Sequence, residues 1–199
     1  VEYLDNPRRS KLKGEFEKDA ILYFTDSQNE PRRINIYRAL LNQLTSVGGY
    51  DPVSTADFIC ACPKTPVEKI TFRFTSEPSI TVNNFATTPG FQFAYQNIYK
   101  DSAESAISTY SSIAFPDSVV NRGAAQSSSL ISHNLCILNI PKQGQEIESI
   151  RILARYGNSS NFFEIDEVST AVDSNNWDYE SGEYKFYNDR VGTGVSPLE

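Results

Sequence analysis

Apolar and polar positions alternate with a period of two in several segments of this chain. Phe91, Phe93 and Tyr95 fall on one face of one segment, while Gln92 and Gln96 fall on the other. This alternation is typical of a strand with one face buried in an antiparallel sheet. The segment therefore predicts an aromatic strand with its apolar side toward a core.

The same alternation recurs along much of the chain, and turn residues separate the segments. A polar turn at residues 102–105 and a second strand at 106–110 would complete a hairpin with the aromatic strand. Further strands are predicted at residues 21–25, 69–75, 113–115, 135–140, 150–156, 163–165 and 184–187. Strands joined by turns, without convincing helices between them, predict an all-β antiparallel sandwich.

One segment departs from the strand pattern. Ile36, Leu40 and Leu44 recur every four residues, which predicts a short amphipathic helix over 36–44. Gly48 and the glycine after it would end the helix.

Changes of composition divide the chain into three parts. Residues 1–64 are a flanking segment that opens with a charged linker, 65–170 are the sandwich, and 171–199 are an exit segment with one strand. A stretch rich in Ser, Ala and Gly, residues 118–132, predicts a long exposed loop within the sandwich. This arrangement of a flanking segment, a sandwich and an exit segment is typical of a domain inserted into a larger scaffold.

Composition narrows the classes of function. With 39% hydrophobic and 22% charged residues among 199, the chain has the balance of a globular protein. Its net charge of −7 disfavours binding to nucleic acid, which depends on clustered Lys and Arg. No apolar run approaches the roughly 20 residues needed to cross a bilayer. The absence of methionine indicates a piece of a longer protein.

The three cysteines are too few, and odd in number, for a disulfide framework, which favours synthesis in a reducing compartment. Cys60 and Cys62 would share a strand face and could form half of a metal clamp. The other half would need more ligands than Cys136 and His133 supply. We therefore expect small buried thiols and no metal or cofactor.

Two pairs of residues are candidate catalytic groups. His133 and Cys136 are three residues apart, which places them on opposite faces of a strand. Glu164 and Asp166 would share a strand face about 7 Å apart, within reach of a glycosidase carboxylate pair. A solvated outer face, opposite buried Phe163, explains the two carboxylates better. The sequence therefore predicts no catalytic residues and no enzyme.

The sequence also offers two candidate binding sites. Residues 173–178 hint at a calcium loop, but they lack the oxygen ligand at the fifth position and the glycine at the sixth. Tyr110, Tyr179, Tyr187 and Trp177 are the aromatic residues that the alternation does not place inside. They could form a carbohydrate-binding platform, so a glycan- or receptor-binding module of a surface or adhesion protein is the alternative function.

Several of these segments resemble the fibronectin type III-like domain of large tailed-bacteriophage virion proteins. The matching residues are 91–95, 99–101, 105–111, 114–116, 150–158, 162–168 and 184–190. Upstream, residues 22–26 and 31–34 resemble a blade of a YWTD-type β-propeller, with Phe24 in place of Trp. The helix predicted at 36–44 departs from a plain propeller.

The resemblance implies a non-enzymatic building block of a phage tail, of the nozzle, muzzle or stabilisation type found beneath the portal. Its implied partners are other virion proteins and copies of itself in a ring, with no nucleic acid and no membrane. Such a protein is made in the host cytoplasm and resides in the virion. The fragment alone would be monomeric. A glycosidase fragment is a third class, and it would require Glu164 and Asp166 to converge in a cleft.

Overall fold

A computed structural model describes most of the chain and divides it into two compact units, residues 1–64 with 101–103, and residues 65–100 with 104–199. The described residues are 20–25, 27–39, 59–81, 85, 90–100, 102–115, 133–144, 146–157, 161–189 and 194–195. The predicted linker at the start of the chain and the predicted loop at 118–132 lie outside these ranges.

The first unit contains a hairpin followed by a helical turn. Strand β1 (Ile21–Phe24), which the pattern predicted, pairs antiparallel with β2 (Arg32–Asn35), which it did not. The turn at residues 36–39 follows at once, because the Asn35 side chain accepts a hydrogen bond from the Arg38 backbone N–H at 3.0 Å. This is the geometry of an N-terminal helix cap. The rest of the predicted helix lies outside the described residues.

The second unit is an antiparallel β-sandwich of two four-stranded sheets, which confirms the predicted all-β fold. One sheet has the order β10-β7-β6-β4 and the other the order β3-β5-β9-β8. The strands are β3 (Thr71–Thr75), β4 (Phe91–Tyr99), β5 (Leu135–Asn139), β6 (Ile147–Tyr156), β7 (Phe162–Ser169), β8 (Trp177–Asp178), β9 (Glu183–Phe186) and β10 (Gly194–Val195).

Aromatic side chains from both sheets form the centre of the core. Phe91 and Phe93 of β4 contact Phe186 of β9 at ring-centroid distances of 5.4 and 5.5 Å, and Phe93 also contacts Phe72 of β3 at 6.2 Å. Phe85, outside every predicted strand, is completely buried against Phe91 and Phe186. The period-two faces therefore meet in one core, as we expected.

The sandwich extends beyond residue 170, the end that the sequence predicts. Strand β9 pairs with β5 from Phe186 opposite Cys136 to Glu183 opposite Asn139, and β8 pairs with β9. Tyr184 and Phe186 are buried, because alternate positions of β9 point into the core. Residues 177–186 are thus part of the sandwich and not an exit segment.

Candidate functional site

Residues 104–115, which we call the strap, run antiparallel along the edge of β4. Three serines spaced three residues apart donate their backbone N–H groups to carbonyl oxygens of alternate β4 residues at 2.8–2.9 Å. The pairs are Ser105 with Asn97, Ser108 with Tyr95, and Ser111 with Phe93. The strap therefore satisfies the carbonyl groups along this edge of the sheet.

The serine hydroxyls satisfy the N–H groups of the same strand residues. Each Oγ accepts a hydrogen bond from the backbone N–H of its β4 partner at 2.9–3.0 Å. Each Oγ also donates to the carbonyl oxygen of the next residue of the strap. The three serines are at most 3% exposed. A hydroxyl thus takes the place that a backbone carbonyl has in an ordinary sheet.

The strap is more tightly wound than a strand. The nine steps from Ser105 to Ala114 lie beside the six steps from Asn97 to Phe91, a length of about 20 Å, so the strap advances about 2.2 Å per residue. Three residues of the strap oppose two of β4 at each step, which repeats the irregularity of a β-bulge. The expected antiparallel return is present, but the regular strands predicted at 106–110 and 113–115 were wrong.

An ion-pair network ties the beginning of the strap to the outer face of the same sheet. The Arg151 guanidinium donates to both Glu104 carboxylate oxygens, at 3.1 and 3.2 Å, and lies 3.4 Å from Glu164 and 3.5 Å from Glu167. Burial alone would lower the pKa of Arg151, but the Glu104 hydrogen bond and the three carboxylate charges raise it. One cation therefore joins the strap, β6 and β7.

Glu164 and Asp166 lie on opposite faces of β7, contrary to the sequence prediction. The register shifts between Ile152 and Leu153, so that Ile152 pairs with Asp166 and Leu153 pairs with Glu164. Asp166 points into the sandwich and accepts a hydrogen bond from the Tyr184 hydroxyl at 2.9 Å. Glu164 points outward to Arg151. A β-bulge thus separates the two carboxylates, and they do not converge as a glycosidase pair.

The cysteines have different surroundings. Cys136 is completely buried in β5, and burial raises the pKa of its thiol, so it is not a ready nucleophile for His133 to activate. Cys60 is half-buried and donates to a Glu30 carboxylate oxygen at 3.3 Å, and Cys62 is exposed. The expectation of buried thiols was therefore wrong for Cys60 and Cys62.

Residues 173–178 form a tight turn whose carboxylates bind the backbone. Asp173 accepts a hydrogen bond from the Tyr179 N–H at 2.8 Å, and Asp178 accepts one from the Ser181 N–H at 3.1 Å. That bond lowers the pKa of Asp178. A cavity of about 390 Å³ opens beside the turn. Within the described ranges, no group of three or more His, Cys, Asp or Glu side chains could hold a metal ion.

Of the four aromatic residues considered for a glycan platform, the largest is buried. Trp177 is only 3% exposed and donates its ring N–H to the Ser169 carbonyl oxygen at 2.8 Å. Tyr110 lies on the strap with its ring 5.0 Å from Phe162. The Tyr179 ring makes a cation–π contact with the Lys142 ammonium group. The platform therefore lacks its largest member.

Apolar side chains are exposed where the strap ends, a feature that the period-two analysis missed. Ile113 and Phe115, which we call the end patch, are 43% and 47% exposed. Both side chains pack against Gly90, where an added Cβ would lie 2.7 Å from Ile113 Cγ2 and 2.8 Å from the Phe115 ring. The triplet spacing of the strap serines is the signal that could have revealed it, because the intervening residues must point outward.

Two comparisons of the sequence with known proteins identify no related protein. Neither a scan against protein-family models nor a search of the curated proteins finds a match. No helix in the described ranges has the length and apolar character needed to cross a bilayer. The fold and surface define an all-β sandwich with an exposed apolar patch and a sheet edge covered by a serine strap.

Proposed function

We propose that this chain is part of a structural component of a bacteriophage virion. It belongs to a tail or portal-proximal ring protein that acts through protein–protein contacts and catalyses no reaction. Its sandwich is fibronectin type III-like and its first unit is propeller-like. The partners are other virion proteins and copies of the same protein in the ring, without nucleic acid or membrane.

The observation that carries this proposal is the end patch, two exposed apolar side chains packed against one buried glycine. Grouped exposed apolar side chains are a common feature of protein interaction sites. The polar groups weighed as catalytic do not compete with this explanation. Glu164 and Asp166 are divided between two faces of β7, and the Cys136 thiol is buried. The geometry therefore favours a role in protein–protein contacts over a role in catalysis.

A charge-insertion experiment tests the proposal in the full-length parent protein. Ile113→Glu combined with Phe115→Glu should leave the thermal unfolding temperature nearly unchanged, because both side chains are exposed. Phage that depend on the variant should yield particles lacking the protein, as measured by mass spectrometry of purified virions. Val67→Glu is the matched control, since Val67 is 86% exposed in the same unit, and it should assemble normally.

Three results would contradict the proposal. They are a parent protein absent from purified virions, normal incorporation of the double variant, and hydrolase activity lost on changing Glu164 to Gln. Specific binding on a glycan array, lost with Tyr110→Ala and retained with Val67→Glu, would favour the surface-binding alternative instead. Cryo-electron microscopy of the particle should show the parent protein as a closed ring.

A further inference from the structure

Strand β4 has the composition of an edge strand that would pair with another chain if it were exposed. Its nine residues, Phe91–Tyr99, carry no charge and no proline, and four of them are aromatic. It is the last strand in the order β10-β7-β6-β4. An uncharged, proline-free edge strand offers unpaired backbone groups to another chain and promotes strand-to-strand association. Only the strap covers this edge among the described residues.

The strap is attached mainly through polar contacts. Between the serines, the side chains of Ala106, Thr109 and Ser112 are exposed. Among its apolar and aromatic residues, Ala114 is buried, Ile107 packs against a small cluster on the outer face, and the Tyr110 ring lies 5.0 Å from that of Phe162. Elements with few buried apolar contacts open locally at low free energy. The serine hydroxyls therefore act together with the backbone hydrogen bonds of the strap to keep the edge of β4 closed.

We propose that the strap is an autoinhibitory edge cap, which keeps the edge of β4 closed to a second copy of this chain. Two exposed β4 edges can pair antiparallel across a two-fold axis and join two sheets into one. The occupant is a second copy because β4 brings no like charges together when it faces itself. This inference does not depend on the proposed virion role.

The test removes the three hydroxyls from the 199-residue chain, with Ser105, Ser108 and Ser111 changed to Ala. Backbone amide hydrogen exchange at low concentration should accelerate about tenfold or more at Phe93 and its strap-facing neighbours, since their N–H groups lose their acceptors. Analytical ultracentrifugation should show concentration-dependent dimers. The same amides should regain protection as concentration rises, which association through another surface would not produce.

The control changes two exposed hydroxyls of the strap, Thr109→Ala with Ser112→Ala, and should behave as the unmodified chain. The proposal falls if the triple variant exchanges as slowly as the unmodified chain, stays monomeric, or associates without renewed protection. If the triple variant does not fold, Ser108→Ala alone decides. Faster exchange at Tyr95 with Phe93 unchanged supports the cap, and unchanged exchange at Tyr95 overturns it.

Discussion

Replacing Phe93 with alanine should destabilise the sandwich more than any surface change. The side chain is completely buried and contacts the rings of Phe72, Phe91 and Phe186 at 5.5–6.2 Å. Removing a buried phenylalanine costs about 3 to 5 kcal/mol, from lost transfer free energy and from the cavity left behind. We expect the upper part of this range, because each aromatic pair adds about 0.5 to 1.5 kcal/mol beyond area.

Urea unfolding followed by circular dichroism measures this cost. The unfolding midpoint should fall while the slope with denaturant stays constant, and the thermal midpoint should drop by roughly 6 to 20 °C. Phe115→Ala is the matched control, since it removes the same atoms from a side chain that is 47% exposed. Its cost should stay within about 0.5 kcal/mol.

Equal costs for the two substitutions would refute the reasoning. They would mean that Phe93 does not lie between the sheets, because a side chain in that position cannot be removed without opening a cavity. A changed slope for Phe93→Ala would instead indicate a change in the unfolded or native ensemble, and the cost could then not be assigned to the cavity.

Four further predictions concern backbone space, alkaline pH, thiol accessibility and metals. Gly90→Ala should lower the free energy of unfolding by about 1 to 3 kcal/mol, because the new Cβ would lie 2.7 Å from Ile113 Cγ2. No loss in urea unfolding would mean that the side chains of the end patch move aside without cost. Burial raises the pKa of Cys136 in the folded chain, so the stability that its neutral thiol contributes is complete below about pH 8.5 and declines above it. Cys136→Ala should flatten that decline, and an unchanged slope would contradict the assignment. Thiol labelling of the native protein should modify Cys62 and spare Cys136, and equal rates would contradict the burial. EDTA should leave the melting temperature unchanged, whereas a shift of several degrees would reveal a metal site.

Alternation alone predicted the strands that bury one face completely. In β4, Phe91, Phe93 and Tyr95 are at most 1% exposed, and the register with β6 runs without interruption from Phe91 to Ile98. Such strands are predictable because the hydrophobic effect acts on each side chain separately. Side chains alternate between the two faces of a strand, so burial of one face leaves a period of two in the sequence. The same argument worked for β9, although its sheet partner β5 was not foreseen.

The features that alternation did not predict depend on backbone pairing between distant segments. The bulge that separates Glu164 from Asp166 adds a residue to β7 opposite β6, and no local pattern in either strand shows it. The strap has a period of three, with Ser105, Ser108 and Ser111 facing β4. Small polar residues at that spacing carry little hydrophobic signal, so their role appears only when the hydrogen bonds are known.

The strap also constrains how this segment can change length. Its serines engage β4 once every three residues, whereas β4 presents an edge-facing residue once every two. Deleting one residue between Ser105 and Ser111 would move the serines beyond the deletion out of register with their β4 partners. Deleting a whole triplet would keep the register and would only leave two residues of β4 without cover. Insertions and deletions within the strap should therefore be tolerated in multiples of three residues.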